Sequence, residues 1–177
     1  MPSLVYERSL TVYLSGVDHR GTWTVHFASR EVAEPDGARR WLRGAAVEVV
    51  SWLDVAGIPD GLPFLLSPRF EYDAALNSYF RRPALIGAPV NSNASRARAL
   101  AGFLNFLYKS RGCRSWREAT EGDHLAFHQW RRRDAAGPQV AGATWSQEVA
   151  HVNQFYAWAV ARRSAFPPRC PRASGRG

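Results

Sequence analysis

Apolar residues along the second half of the chain repeat with a helical period. Over residues 94–111, Leu100, Phe103, Leu104 and Leu107 fall at i, i+3, i+4 and i+7, one buried helix face. A second helix is predicted over 121–134. Thr120 caps it, and Asp123 stands at its third position, where a carboxylate suits the free N–H groups and the positive end of the dipole. Its expected inward residues are Leu125, His128 and Trp130. A third helix is predicted over 144–162, with Trp145, Val149, Val152, Tyr156 and Ala159 as its buried stripe and Phe155 widening it. "DAAGPQVAGA" breaks the chain before it, and "FPPRCPRASGRG" after it holds three prolines that a helix excludes.

The first half is patterned differently. "SLTVYL" and "TWTVHF" alternate or are β-branched and flank "SGVDHRG", which predicts a β-hairpin over residues 9–27. Residues 38–56 place Leu42, Ala45, Ala46, Val49 and Leu53 at helical spacing, although "VEVVSWL" within them also suits a strand; Gly57 and Pro59 end either. "PDGLPFLLSPRF" reads as a punctuated connection. "DAALNSYF" reads as a short helix capped by Asp73, with Leu76, Tyr79 and Phe80 on one face. "RRPALIGAPVNSN" reads as a linker. The expected class is mainly α: a bundle of about four helices at 73–166, an extension at 1–72 with the hairpin and a helix, and a Pro/Arg/Gly tail at 167–177.

Composition adds limits. An apolar fraction of 46% over 177 residues supports a packed core. No run of 18 apolar residues is present, so no membrane span is expected, and the opening "MPSLVYERSL" does not predict a secretory signal. Cys113 and Cys170 are too few for a disulfide scaffold and are not spaced as a metal site, which favours reduced thiols in a cytoplasmic protein. Charge changes the picture more. Residues 1–90 carry nine basic and ten acidic groups, whereas residues 91–177 carry 14 basic and five acidic ones. An excess confined to one half predicts a polyanionic partner for that half, with a merely solvated surface as the competing reading.

Three stretches carry a family pattern: "FLNFLYKSRG", "SWREATEGDHLAFHQWRRRD" and "ATWSQEVAHVNQFYAWAV". Together they resemble the core-binding domain of tyrosine recombinases, the phage-integrase family. The resemblance lies in an apolar "FL-x-FL" helix, a "W-x-x-(A/V)-T" entry to the next helix, and a third helix opening on Thr and closing "FY-x-WA". Trp116, Thr120, Thr144, Phe155, Tyr156, Trp158 and Ala159 occupy those positions. It covers roughly residues 73–171. It implies an orthogonal, SAM-like bundle, a double-stranded DNA partner, contact with other recombinase subunits and a place on the nucleoid. Two departures stand out. "RARAL", with Arg96 and Ala99, replaces the family's "Y-x-x-D-L". The family's catalytic Arg, Lys, H-x-x-R and Tyr all lie beyond a linker that "FPPRCP" matches, so this chain is expected to bind DNA without cutting or joining it, as a truncated or severed product.

Several strings imitate other chemistry. "HQWR", His128 to Arg131, matches H-x-x-R but lies in the wrong domain for the family's use of it. His124 and His128 have an i, i+4 metal spacing without a third ligand, which favours packing. Cys113 beside Arg111 and Arg114 has no His or Asp partner in view, and Tyr156 falls on the buried stripe. No cofactor, metal or catalytic residue is expected. The expected DNA contacts are Arg96 and Arg98 near the start of the first helix, Lys109, Arg111 and Arg114 in the loop after it, with Arg117 close by, and Arg131, Arg132 and Arg133 at the end of the second. Gln147, His151 and Gln154 are spaced by four and three and are expected to share a base-reading face on the third helix. The rival expectation is a helical protein–protein interaction module whose arginines only keep it soluble.

Overall fold

The computed structural model describes residues 21–31 and 40–165. The first run of the expected hairpin and the 167–177 tail lie outside the described residues. In chain order the elements are β1 (Thr24–Phe27), α1 (Arg40–Val55), β2 (Pro63–Leu66), α2 (Ala74–Asn77), α3 (Pro83–Ile86), α4 (Val90–Ser110), a 3-10 turn (Trp116–Glu118), α5 (Glu121–Arg132) and α6 (Gly142–Ala165). The described chain is mainly helical, as the apolar pattern predicted, with one small antiparallel sheet.

The sheet contains a strand that was not expected. β1 is the second run of the predicted hairpin, whose first run lies outside the described residues, and it pairs with β2, Thr24 opposite Leu66 and Phe27 opposite Pro63. "PFLL" lies inside the stretch that reads as a connection. Its flanking Gly and Pro mask a short strand buried at Pro63, Leu65 and Leu66. The far edge of β2 is closed by a side chain. Asn77, 1% exposed, accepts the Leu65 N–H at 2.7 Å and donates to the Leu65 carbonyl at 2.9 Å, standing in for a third strand.

α1 is a helix despite "VEVVSWL". It ends on a Schellman motif: Gly57 at φ +62° donates to Asp54 O, Ile58 donates to Leu53 O at 2.9 Å, and Ile58 packs with Leu53 and Leu62. The "linker" also holds structure. Pro83 opens α3, and Asn93 Nδ2 donates to the Leu85 carbonyl at 2.7 Å.

One core cluster joins Leu65, Leu76, Tyr79, Phe80, Leu100, Phe103, Leu104, Leu107, Phe127, Val152 and Phe155, with Trp23 and Val25 packed against it. It runs across residues 72 and 90, so the sheet and the helices share it. Asp73 caps α2 as expected, accepting the Leu76 N–H at 3.0 Å.

α5 corrects one expectation. Leu125 is 62% exposed, while Phe127 is buried with His124, His128 and Trp130 partly covered. The inward stripe is 123, 127, 130, because Asp123 at 0% exposure fixes the rotation of the helix. Residue 125 then lies about 200° round from 123.

Candidate nucleic-acid interface

The loop between α4 and α5 turns on two positive backbone angles, Gly112 at φ 66° and Cys113 at φ 57°. It then delivers its arginines inward. Arg111 Nε donates to Asp123 Oδ1 and Arg114 NH1 to Asp123 Oδ2, each at 2.7 Å. Thr120 completes the capping box, donating its N–H to Oδ2 at 2.9 Å and its hydroxyl at 2.8 Å. Burial works against the Asp123 charge, but the Thr120 N–H and the two guanidinium groups outweigh it and hold the carboxyl well below the usual range. Arg111 and Arg114 still expose about a third of their side chains, 37% and 35%.

The same pattern recurs elsewhere. Arg117 grips Asp73 through both oxygens at 2.9 and 3.1 Å and lies 4.2 Å over the Trp116 ring, while Trp116 Nε1 donates to the same carboxylate. Arg131 pairs with Glu148, joining α5 to α6. Arg132 donates to the Val140 carbonyl at 2.6 Å. Asp73, Asp123 and Glu148 thus act as internal clips. Of the expected phosphate contacts, Arg111, Arg114 and Arg131 are each held in an ion pair within the fold. Their partners are hidden from periodicity because Asp123, Asp73 and Glu148 lie on other elements.

Arg98, Lys109 and Arg133 are exposed and have no carboxylate partner among the described residues. Arg98 and Lys109 are eleven positions apart on α4, on one face and about 16 Å apart. Gln147 and Gln154 are exposed on α6. His151 is not a third member of an open face: both ring nitrogens are enclosed, with the Gln154 amide beside the ring. Burial, then the charge of Arg96, lowers its pKa. Arg96 is half-buried, its NH1 3.4 Å from Asn93 Oδ1 and its Nε enclosed without a partner.

Three residues around this spot were not among the site residues expected from the sequence. Tyr79 is 1% exposed, and its hydroxyl lies beside Arg82 without a well-formed hydrogen bond. Arg82 lies 4.2 Å over the Tyr79 ring and 6.0 Å from the Trp158 ring. Arg162 lies 5.6 Å from the same Trp158 ring and donates to Ser78 Oγ at 2.8 Å. The i, i+4 spacing of Trp158 and Arg162 was a usable signal. Arg82 gave none, since it stands in the stretch that reads as a linker.

The imitative strings are absorbed by packing. His124 lies 4.6 Å from the Phe103 ring and 5.1 Å from Tyr156, and His128 lies 4.9 Å from Trp145. Tyr156 donates its hydroxyl to the Trp116 carbonyl at 3.0 Å, and burial raises its pKa, with the Asp123 charge adding to the shift. Among the described residues no three His, Cys, Asp or Glu side chains are grouped to hold a metal, and no helix is long and apolar enough to cross a membrane. A groove of about 470 Å³ opens between the sheet and the α4–α5 loop, lined by Trp23, Tyr72, Tyr108, Trp116, Arg69 and Arg114 among others. Compared with known proteins, the chain matches no family model, no curated protein and no solved structure.

Proposed function

We propose that this chain binds double-stranded DNA as a helical module of the kind its C-terminal half resembles, the SAM-like core-binding domain of tyrosine recombinases, working on the nucleoid beside other recombinase subunits. The reading assigns DNA binding to these residues and no strand cutting. The observation that carries it is a surplus of cations left after the internal ion pairs are made. Arg98, Lys109 and Arg133 have no carboxylate partner among the described residues, and the outer edges of Arg111 and Arg114 remain accessible. Free guanidinium and ammonium groups bind phosphates and release counterions, which makes affinity depend on salt.

Anisotropy of a labelled generic duplex tests this. Three phosphate contacts predict binding about 40-fold weaker at about 200 mM salt than at about 50 mM. Absence of binding at the lower salt contradicts the reading. A second reading, a protein–protein interaction module, is favoured by the groove, which presents Trp23, Tyr72, Tyr108 and Trp116 and whose Asp73 and Arg114 are already paired within the fold. The same titration separates the two.

A further inference from the structure

Five arginines of the described chain, Arg30, Arg111, Arg114, Arg117 and Arg131, are each matched to a carboxylate. Between α2, α4 and α6 the rule changes. Arg82 donates its Nε–H to the Tyr79 carbonyl at 3.1 Å and stacks on the Tyr79 ring, Arg162 holds Ser78 Oγ and stacks on Trp158, and Arg96 meets only Asn93 Oδ1. No carboxylate enters any of these contacts. In the same place Tyr79 Oη, Arg96 Nε and both His151 nitrogens are buried without a well-formed hydrogen bond, with Arg82 beside the Tyr79 hydroxyl and the Gln154 amide beside the His151 ring. The electrostatics tie the groups together: the charges of Arg82 and Arg96 both act on the Tyr79 hydroxyl, and that of Arg96 acts on His151.

Such an arrangement is unfavourable on its own. Each enclosed polar atom left without a well-formed hydrogen bond destabilises the fold. An anion relieves that cost, because guanidinium N–H groups give short charge-assisted bonds to phosphate oxygens. A guanidinium stacked on an aromatic face keeps its N–H edge pointing outward and already oriented. Gln154, exposed three positions after His151 on α6, supplies a neutral amide beside it.

We propose that Arg82 and Arg162 at one end, and Arg96 with His151 and Gln154 about 16 Å away along α6 at the other, form a binding surface for neighbouring phosphodiesters of duplex DNA. This rests on the DNA-binding reading and deepens it by naming where α4 and α6 meet the backbone. The site is separate from Lys109 and Arg133, so the two can fail independently.

The test uses the full chain. Arg Nε–Hε and His ring resonances are followed by NMR while a generic duplex, and separately inorganic phosphate, is titrated in. Binding of the same duplex is then measured for Arg82→Gln, Arg96→Gln and Arg162→Gln. The duplex is expected to shift the Arg96 and His151 signals of the unaltered protein. Each substitution is expected to weaken duplex binding about tenfold at low salt. A duplex that binds with salt dependence, leaves the Arg96 and His151 signals in place and is bound equally by the three variants overturns this site and leaves the DNA reading standing. Signals that move with inorganic phosphate alone, with no duplex binding, overturn both. The NMR arm needs no variant, so a substitution that unfolds the chain does not obscure the result.

Discussion

Arg111 reaches back over the α4–α5 turn and places its Nε 2.7 Å from Oδ1 of Asp123, a carboxylate with no solvent exposure. This contact, doubled by Arg114, ties the end of α4 to the start of α5 and fixes which face of α5 turns inward. The loop cations therefore have a structural role before any binding role.

Asp123→Ala removes that anchor and leaves two guanidinium groups facing a buried space. Its expected cost is about 3–5 kcal/mol, the range for breaking a buried ion pair from one side. Arg111→Gln is expected to be milder, because Arg114 and Thr120 still satisfy the carboxylate. Thermal unfolding of the two variants gives the order directly; equal losses would contradict it.

The acid limb of stability follows from the same group. Asp123 is held below its ordinary pKa in the folded chain, so it contributes stability above the unfolded value near 4. That contribution is lost as pH falls through the lower folded value. Asp123→Asn is expected to unfold with a flatter dependence on pH below about 4. Urea melts at several acidic pH values measure it, and identical acid limbs would contradict it.

His124 acts higher on the scale. Burial lowers its pKa, and the charge of Asp123 opposes that only in part. A lowered histidine is neutral when folded, so it contributes nothing adverse above about pH 6.5 and destabilises the fold as pH falls below that. His151 adds to the effect with the same sign. The unaltered chain is expected to lose stability from pH 7 to pH 5, and His124→Phe, which keeps the ring packing against Phe103 and Tyr156, is expected to lose less. Chemical denaturation at the two pH values reads the difference.

Asn77 is the weakest point of the sheet. Asn77→Leu leaves the buried Leu65 N–H without a partner, at about 1–3 kcal/mol, and takes one donor from its carbonyl. A drop in the urea midpoint with little change in slope is expected. A neutral outcome would show that the two backbone groups find other partners.

The helices were legible because their apolar residues repeat on one face, from Leu100 to Leu107 and from Trp145 to Ala159. The caps at Asp73 and Thr120 were legible because capping chemistry is local. β2 was not, since four residues framed by Gly and Pro carry too little pattern to outweigh the punctuation. Leu125 misled because an apolar residue was weighed above Asp123, whose burial depends on arginines from another element. The fates of the arginines were illegible for the same reason. Arg117 finds Asp73 across 44 positions, and Arg162 finds Ser78 across 84. Sequence thus located the basic half of the chain and most of its cations, but could not say which were already bound.

The most direct measurement is the slope of log affinity for duplex DNA against log salt, for the unaltered chain and for the triple variant Arg98→Gln, Lys109→Gln, Arg133→Gln. The account predicts a salt-dependent complex whose slope becomes less negative by about 2.7 in the variant, one contact for each cation removed, with the melting temperature unchanged. An unaltered chain that does not bind the duplex at low salt, or a variant with the same slope, contradicts it.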